Sequence, residues 1–202
     1  MCASFLCSFL EDEDPRVREL ASRCQQQYVN LLKKDILPVL SRIIGPWWLS
    51  QFQMHSAAAT ASRSAFQSAF TQQKRPEVLR RYGKDILTLL RNRILPKSSL
   101  VDKAKSKGQD VSSLNDDQQS RVAEGLDALS GLVQELSAEG LDEMYPLMKD
   151  MLDKPDWWKL VRLQNPKVRQ SFFRLLSALW NRCEEAMKAY TLQTLTAAIG
   201  NN

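Results

Sequence analysis

Apolar residues recur at steps of three and four along almost the whole chain, and no window sustains the two-residue alternation of a strand. That periodicity limits the fold more than any other feature. From Pro15 it runs Val17, Leu20, Ala21, Cys24, Tyr28, Leu31 and Leu32, one stripe on one helix face. A second segment, Ile36 to Phe52, carries Leu40, Ile43, Ile44, Trp47, Trp48 and Phe52, with Gly45-Pro46 expected to kink or break it. Ser56 to Phe70 is alanine-rich, and a fourth helix from Pro76 turns Val78, Tyr82, Ile86, Leu90 and Ile94 inward. Periodicity vanishes from Pro96 to Asn115, where Ser, Lys, Gly and Asp dominate and a solvated loop is expected. Beyond it come a helix with Val122, Leu126, Leu129, Val133 and Leu136, ending near Gly140, and another with Leu147, Met148, Met151 and Leu152. Pro146 is expected near the start of that second one, where its missing N–H costs least. Val168, Phe172, Leu175, Leu176, Leu179 and Cys183 mark a last long helix, and Tyr190 to Ile199 a short final one. Seven Gly and eight Pro leave too little turn chemistry for a β-sandwich. The fold class is all-α.

Two helix starts match. Asp14-Pro15-Arg16-Val17-Arg18 and Asn165-Pro166-Lys167-Val168-Arg169 both read Asp/Asn, Pro, basic, Val, Arg. In each, Asp14 or Asn165 caps free N–H groups, Pro15 or Pro166 presets the helix, and Val17 or Val168 points inward. Arg18 and Arg169 lie where they can reach acceptors in a neighbouring repeat. This is the pattern of the second helix of a HEAT repeat, a unit of about 40 to 47 residues. The expectation is antiparallel helix pairs stacked as a short, continuous solenoid: 1–96, a polar basic loop at 97–115, and 116–202.

The chemistry-bearing residues are few. One histidine, His55, excludes a multi-histidine metal site, and its place beside Ser56 at a helix start suits a bystander. Cys2, Cys7, Cys24 and Cys183 show no C-x-x-C pair, and Cys24 and Cys183 fall on apolar faces, as reduced thiols of an intracellular protein do. No Gly-rich phosphate loop appears. No apolar run reaches the ~18 residues that spanning a bilayer requires, and the short segment Met1 to Leu10, followed by acids, is not expected to be a signal peptide. A start in mid-helix suits a piece of a longer protein. Charge is more telling. Residues 74 to 107 hold eleven basic and three acidic residues, net +8 in a chain of net +5. Lys74, Arg75, Arg80, Arg81, Lys84, Arg91 and Arg93 form a candidate phosphate-contacting face, Arg80, Lys84 and Arg91 sharing one side of the fourth helix. A merely solvated helix face would read the same way. Trp47-Trp48 and Trp157-Trp158 are core candidates. Adjacent residues stand about 100° apart, so one of each pair is a candidate protein-contact residue at a groove edge.

Segment 11–74 resembles the N-terminal HEAT region of the listerin family, in the Asp14-Pro15-Arg16-Val17-Arg18 helix, Leu37-Pro38, Trp47-Trp48-Leu49-Ser50-Gln51-Phe52, Ala65-Phe66-Gln67-Ser68-Ala69-Phe70 and Lys74. The far half is similar in Asp156-Trp157-Trp158-Lys159-Leu160 and Asn165-Pro166-Lys167-Val168-Arg169. The family often has Asp where Gln53 stands, which puts that residue's contact in question. The resemblance implies a cytosolic scaffold of ribosome-associated quality control that docks a ubiquitin ligase on the large ribosomal subunit and on a tRNA-binding partner protein. It implies no catalytic residue, cofactor, membrane or small-molecule substrate here, zinc belonging to a RING elsewhere in the parent. The alternative is a HEAT adaptor for an unrelated transport or trafficking complex.

Overall fold

The computed structural model describes residues 8–95 and 115–183, and beyond these 188, 189, 191, 192 and 196. The described residues form helices and turns without a strand. They are α1 (Pro15–Leu32), a 3-10 turn (Lys33–Ile36), α2 (Leu37–Ser50), α3 (Ser56–Ala69), α4 (Arg75–Ile94), α5 (Asp116–Glu135), α6 (Ala138–Leu152), α7 (Pro155–Lys159), a 3-10 turn (Leu160–Arg162) and α8 (Pro166–Arg182). The chain divides into two compact units, Met1–Leu89 and Leu90–Asn202, with the division inside α4. The expected loop at 97–115, apart from Asn115, and most of the expected final helix lie outside the described residues. Among the described residues no helix is long and apolar enough to cross a membrane.

In the first unit α1 packs along α3, and α2 packs on α3. The core is Leu40, Ile43, Ile44, Trp47, Trp48 and Leu49 of α2, Ala58, Ala59, Ala65 and Phe66 of α3, and Leu79, Ile86 and Leu87 of α4. Two expectations need correction. Gly45-Pro46 neither breaks nor ends α2, which runs through to Ser50. Pro46 is half-buried, and the carbonyl it would have served belongs to exposed Arg42, on a side where water can reach it. The buried stripe of α1 is also rotated. Ala21, Ser22, Gln25 and Val29 are buried, while Leu20, Cys24 and Leu31 face outward. Polar side chains can occupy that face partly because they bond locally: the Ser22 hydroxyl donates to the Arg18 carbonyl at 2.9 Å.

In the second unit α5 and α8 form the main packed pair. Arg174 bonds Asp127, and Arg182 donates to the Leu136 carbonyl, 47 and 46 positions apart. Numbers rise together along both helices, so α5 and α8 run in the same direction, as equivalent helices of successive repeats do. The spacing is one HEAT unit. The expected buried set of α5, Val122, Leu126, Leu129, Val133 and Leu136, is buried as the periodicity predicts. The helix boundary is not at Gly140, however. The chain turns at Leu136–Ser137, where the Ser137 hydroxyl accepts from the Gly140 amide at 3.2 Å. Pro146 sits inside α6 rather than at its start. It and Asp142, whose carbonyl loses its partner, are both exposed.

Candidate functional site

Both of the paired helix starts are capped, by different routes. Asn165 Oδ1 accepts from the Lys167 amide at 2.9 Å, and Asp14 Oδ1 accepts from the Arg16 amide at 2.8 Å. Arg16 also folds back on Asp14, Nη2 to Oδ2 at 2.8 Å. That side-chain bond first, and the amide bond second, hold the Asp14 carboxyl down at about 2. Val168 is fully buried and Val17 half-buried. Arg18 reaches Gln53 Oε1 with Nε at 2.9 Å and the carbonyls of Asp12 and Glu13 with Nη1 at 2.7 and 3.2 Å. Gln53 Nε2 donates in turn to the Leu10 carbonyl at 2.8 Å. The start of α1, the α2–α3 connection and the segment before α1 are therefore tied at one point. Gln53 thus holds a contact through each of its amide atoms. Arg169, the counterpart of Arg18, is exposed.

The basic segment is less uniform than its sequence. Lys74, Arg81 and Lys84 are exposed, with Arg81 5.8 Å above the Tyr82 ring. Arg75 is half-buried. Arg80 is committed to Glu77 at 3.1 Å, Arg91 to Asp150 at 2.9 Å and Arg93 to Glu124 at 3.7 Å. The side-chain bond from Arg80 lowers the Glu77 carboxyl from its usual range. Of the three cations expected to share a side of α4, Lys84 alone is exposed without such an ion pair in the described residues. Phosphate contact from this segment would therefore begin with Lys74, Arg81 and Lys84.

The tryptophan expectation is overturned. Trp47, Trp48, Trp157 and Trp158 are all buried, the most exposed of them at 7%. The 100° between neighbours does not bring one out, because one phenylalanine meets both members of each pair. Trp47 and Trp48 both meet Phe66, with centroids 5.2 and 5.5 Å away, and Trp47 also meets Phe70. Trp157 and Trp158 both meet Phe172, at 5.7 and 6.0 Å. The Trp158 indole N–H donates to the Leu152 carbonyl at 2.8 Å. His55 serves the fold, since its Nδ1 accepts from the Ala58 amide at 3.4 Å as the cap of α3. Among the described residues no cluster of His, Cys, Asp and Glu could hold a metal ion. Burial pushes the Cys183 thiol up, away from reactive thiolate.

Two surfaces escaped the sequence reading. An open groove of about 740 Å³ runs between α1 and α3, lined by Leu20, Cys24 and Gln27 on one side and by Ala57, Ala61 and Ser64 on the other. On α8, Phe173 and Trp180 are half exposed. The signal for the second was present: the two stand seven apart and outside the Val168–Phe172–Leu175–Leu179 stripe.

Comparison with known proteins places these features in context. Residues 3–202 match the family model described as the N-terminal domain of the E3 ubiquitin-protein ligase listerin. The chain is 29% identical to E3 ubiquitin-protein ligase listerin of Mus musculus over 191 residues, which is 90% of this chain and 10% of the mouse protein. It is 29% identical to the Gallus gallus protein of that name over 194 residues, 91% of this chain and 10% of the relative. The Xenopus tropicalis protein is 28% identical over 186 residues, 91% of this chain and 11% of the relative. The chain thus spans about a tenth of the length of the curated relatives it matches.

Proposed function

Because this chain belongs to the family of listerin N-terminal domains, we propose that it is the docking region of a ubiquitin ligase, binding the large ribosomal subunit and a tRNA-binding quality-control partner in the cytosol. Ubiquitin transfer on stalled nascent chains then falls to a zinc-holding RING elsewhere on the parent polypeptide. In this reading the segment supplies docking surface and the chemistry lies elsewhere. The observation that carries the reading, beyond family membership, is the exposed cation set Lys74, Arg81 and Lys84 in the net +8 stretch. Cations held on a rigid helix neutralise phosphates and release counterions, an effect that weakens as salt rises.

The test is co-sedimentation with purified large subunits carrying a stalled peptidyl-tRNA, with and without the partner protein, across a salt series. Binding should strengthen with the partner. Reversing Lys74, Arg81 and Lys84 to Glu should weaken it and flatten its salt slope by roughly three in log–log terms, one per lost phosphate contact. Unchanged binding at physiological salt would reject the basic face. A second reading, a helical adaptor with protein partners only, is favoured by the α1–α3 groove, where Leu20 and Cys24 face outward. It predicts salt-insensitive capture that ribonuclease leaves intact.

A further inference from the structure

The register between α5 and α8 identifies an apolar surface of α8 that stays uncovered among the described residues. Asp127 meets Arg174 at a spacing of 47, so each α8 position has an α5 counterpart 47 residues earlier. Phe173, Leu176 and Trp180 correspond to Leu126, Leu129 and Val133. The α5 set is 0%, 3% and 0% exposed, whereas Phe173 and Trp180 are 53% and 51% exposed and Leu176 is half-buried. The opening helix repeats the comparison. At the 151-residue spacing of Asp14 and Asn165, the same three positions fall on Ser22, Gln25 and Val29 of α1, all buried. In α1, even polar side chains occupy this face under cover of α3. In α8, two large aromatics occupy it and are half exposed, the Lys188 ammonium standing 6.0 Å over the Trp180 ring. Arg169 follows the same pattern: its counterpart Arg18 is bound by Gln53 of the following connection, while Arg169 is exposed.

We propose that Phe173, Leu176 and Trp180 form the docking face for a further helix running parallel to α8, one repeat on, supplied by the same polypeptide beyond Asn202. The interface continues the α5–α8 stack, and the matched relatives are about ten times the length of this chain. The incoming helix must present a small or apolar stripe at helical spacing, and its preceding connection an acceptor for Arg169.

The test compares residues 1–202 with the same polypeptide carried on for about 90 residues, two repeats' worth. Four of the five tryptophans are buried, so each chain minus its Trp180→Phe variant isolates Trp180. Acrylamide quenching of that signal should fall severalfold in the longer chain. Phe173→Ser should lower the thermal midpoint of the longer chain and leave that of 1–202 nearly unchanged, since Phe173 is half exposed there. Equal quenching in both chains would overturn the proposal, as would a natural reading frame that stops at Asn202. Protection of Trp180 that rises with the concentration of 1–202 would also overturn it, assigning the face to a second copy.

Discussion

Gln53 shows how much one side chain can tie together. It accepts from Arg18 and donates to the Leu10 carbonyl, both in partly buried surroundings. Gln53→Ala should cost about 1 to 3 kcal/mol in urea unfolding, since it leaves Arg18 short of a partner as well as losing two bonds. Gln53→Asp should fall between wild type and Ala: it keeps an acceptor for Arg18 and loses the amide donor. Asp14 governs part of the acid response. Its folded pKa of about 2 lies below its ordinary value of 3.8, so its stabilising contribution is present above pH 4 and is lost as pH falls towards 2. Asp14→Asn should flatten the urea midpoint between pH 4 and 2. Glu77 is shifted in the same direction, so some acid sensitivity should persist in that variant.

At the scale of the element, glycines inside two helices separate tight contacts from loose ones. A Cβ on Gly125 would stand 2.9 Å from Ile94 Cγ1, a fully buried side chain with nowhere to move. A Cβ on Gly45 would stand 3.2 Å from Leu89 Cδ1, the free end of a half-buried leucine. Ala gains about 0.5 to 1 kcal/mol over Gly in a helix interior, and overpacking costs about 1 to 3. Gly125→Ala should therefore lower the urea midpoint and Gly45→Ala should leave it nearly unchanged. The elements themselves were legible where apolar residues keep helical spacing, as in α5. Their rotation was not legible in α1, because Leu20, Cys24 and Leu31 satisfy the same spacing as the Ala21, Ser22, Gln25 and Val29 set that is buried. The tryptophans were illegible for the converse reason. One helix considered alone has an outside, but Phe66 of α3 meets both members of the α2 Trp pair.

At the scale of the whole molecule, the repeat is visible as a distance in sequence. The Asp127–Arg174 and Leu136–Arg182 bonds fall one unit apart along two parallel helices. These bonds mark the register more than they hold it, since Arg174 is about half exposed. A double-mutant cycle of Asp127→Ala and Arg174→Ala should give a coupling below about 1 kcal/mol, as exposed ion pairs do. A coupling of several kcal/mol would make the pair a structural lock. The face proposed for a further repeat belongs to this scale too, because no single helix shows that its apolar side lacks a neighbour.

The amino-acid order alone determined the helical class, the matched capped starts at Asp14 and Asn165, the family resemblance and the place of the basic stretch. Each depends on residues near one another in the chain, through hydrogen bonds to the first helical turn or through spacing along one helix. Tertiary structure decided which cations are already committed, that all four paired tryptophans are interior, and that Leu20, Phe173 and Trp180 are not. Those outcomes depend on residues such as Asp150, Phe66 and Phe172, which meet their partners only after the chain has folded back on itself.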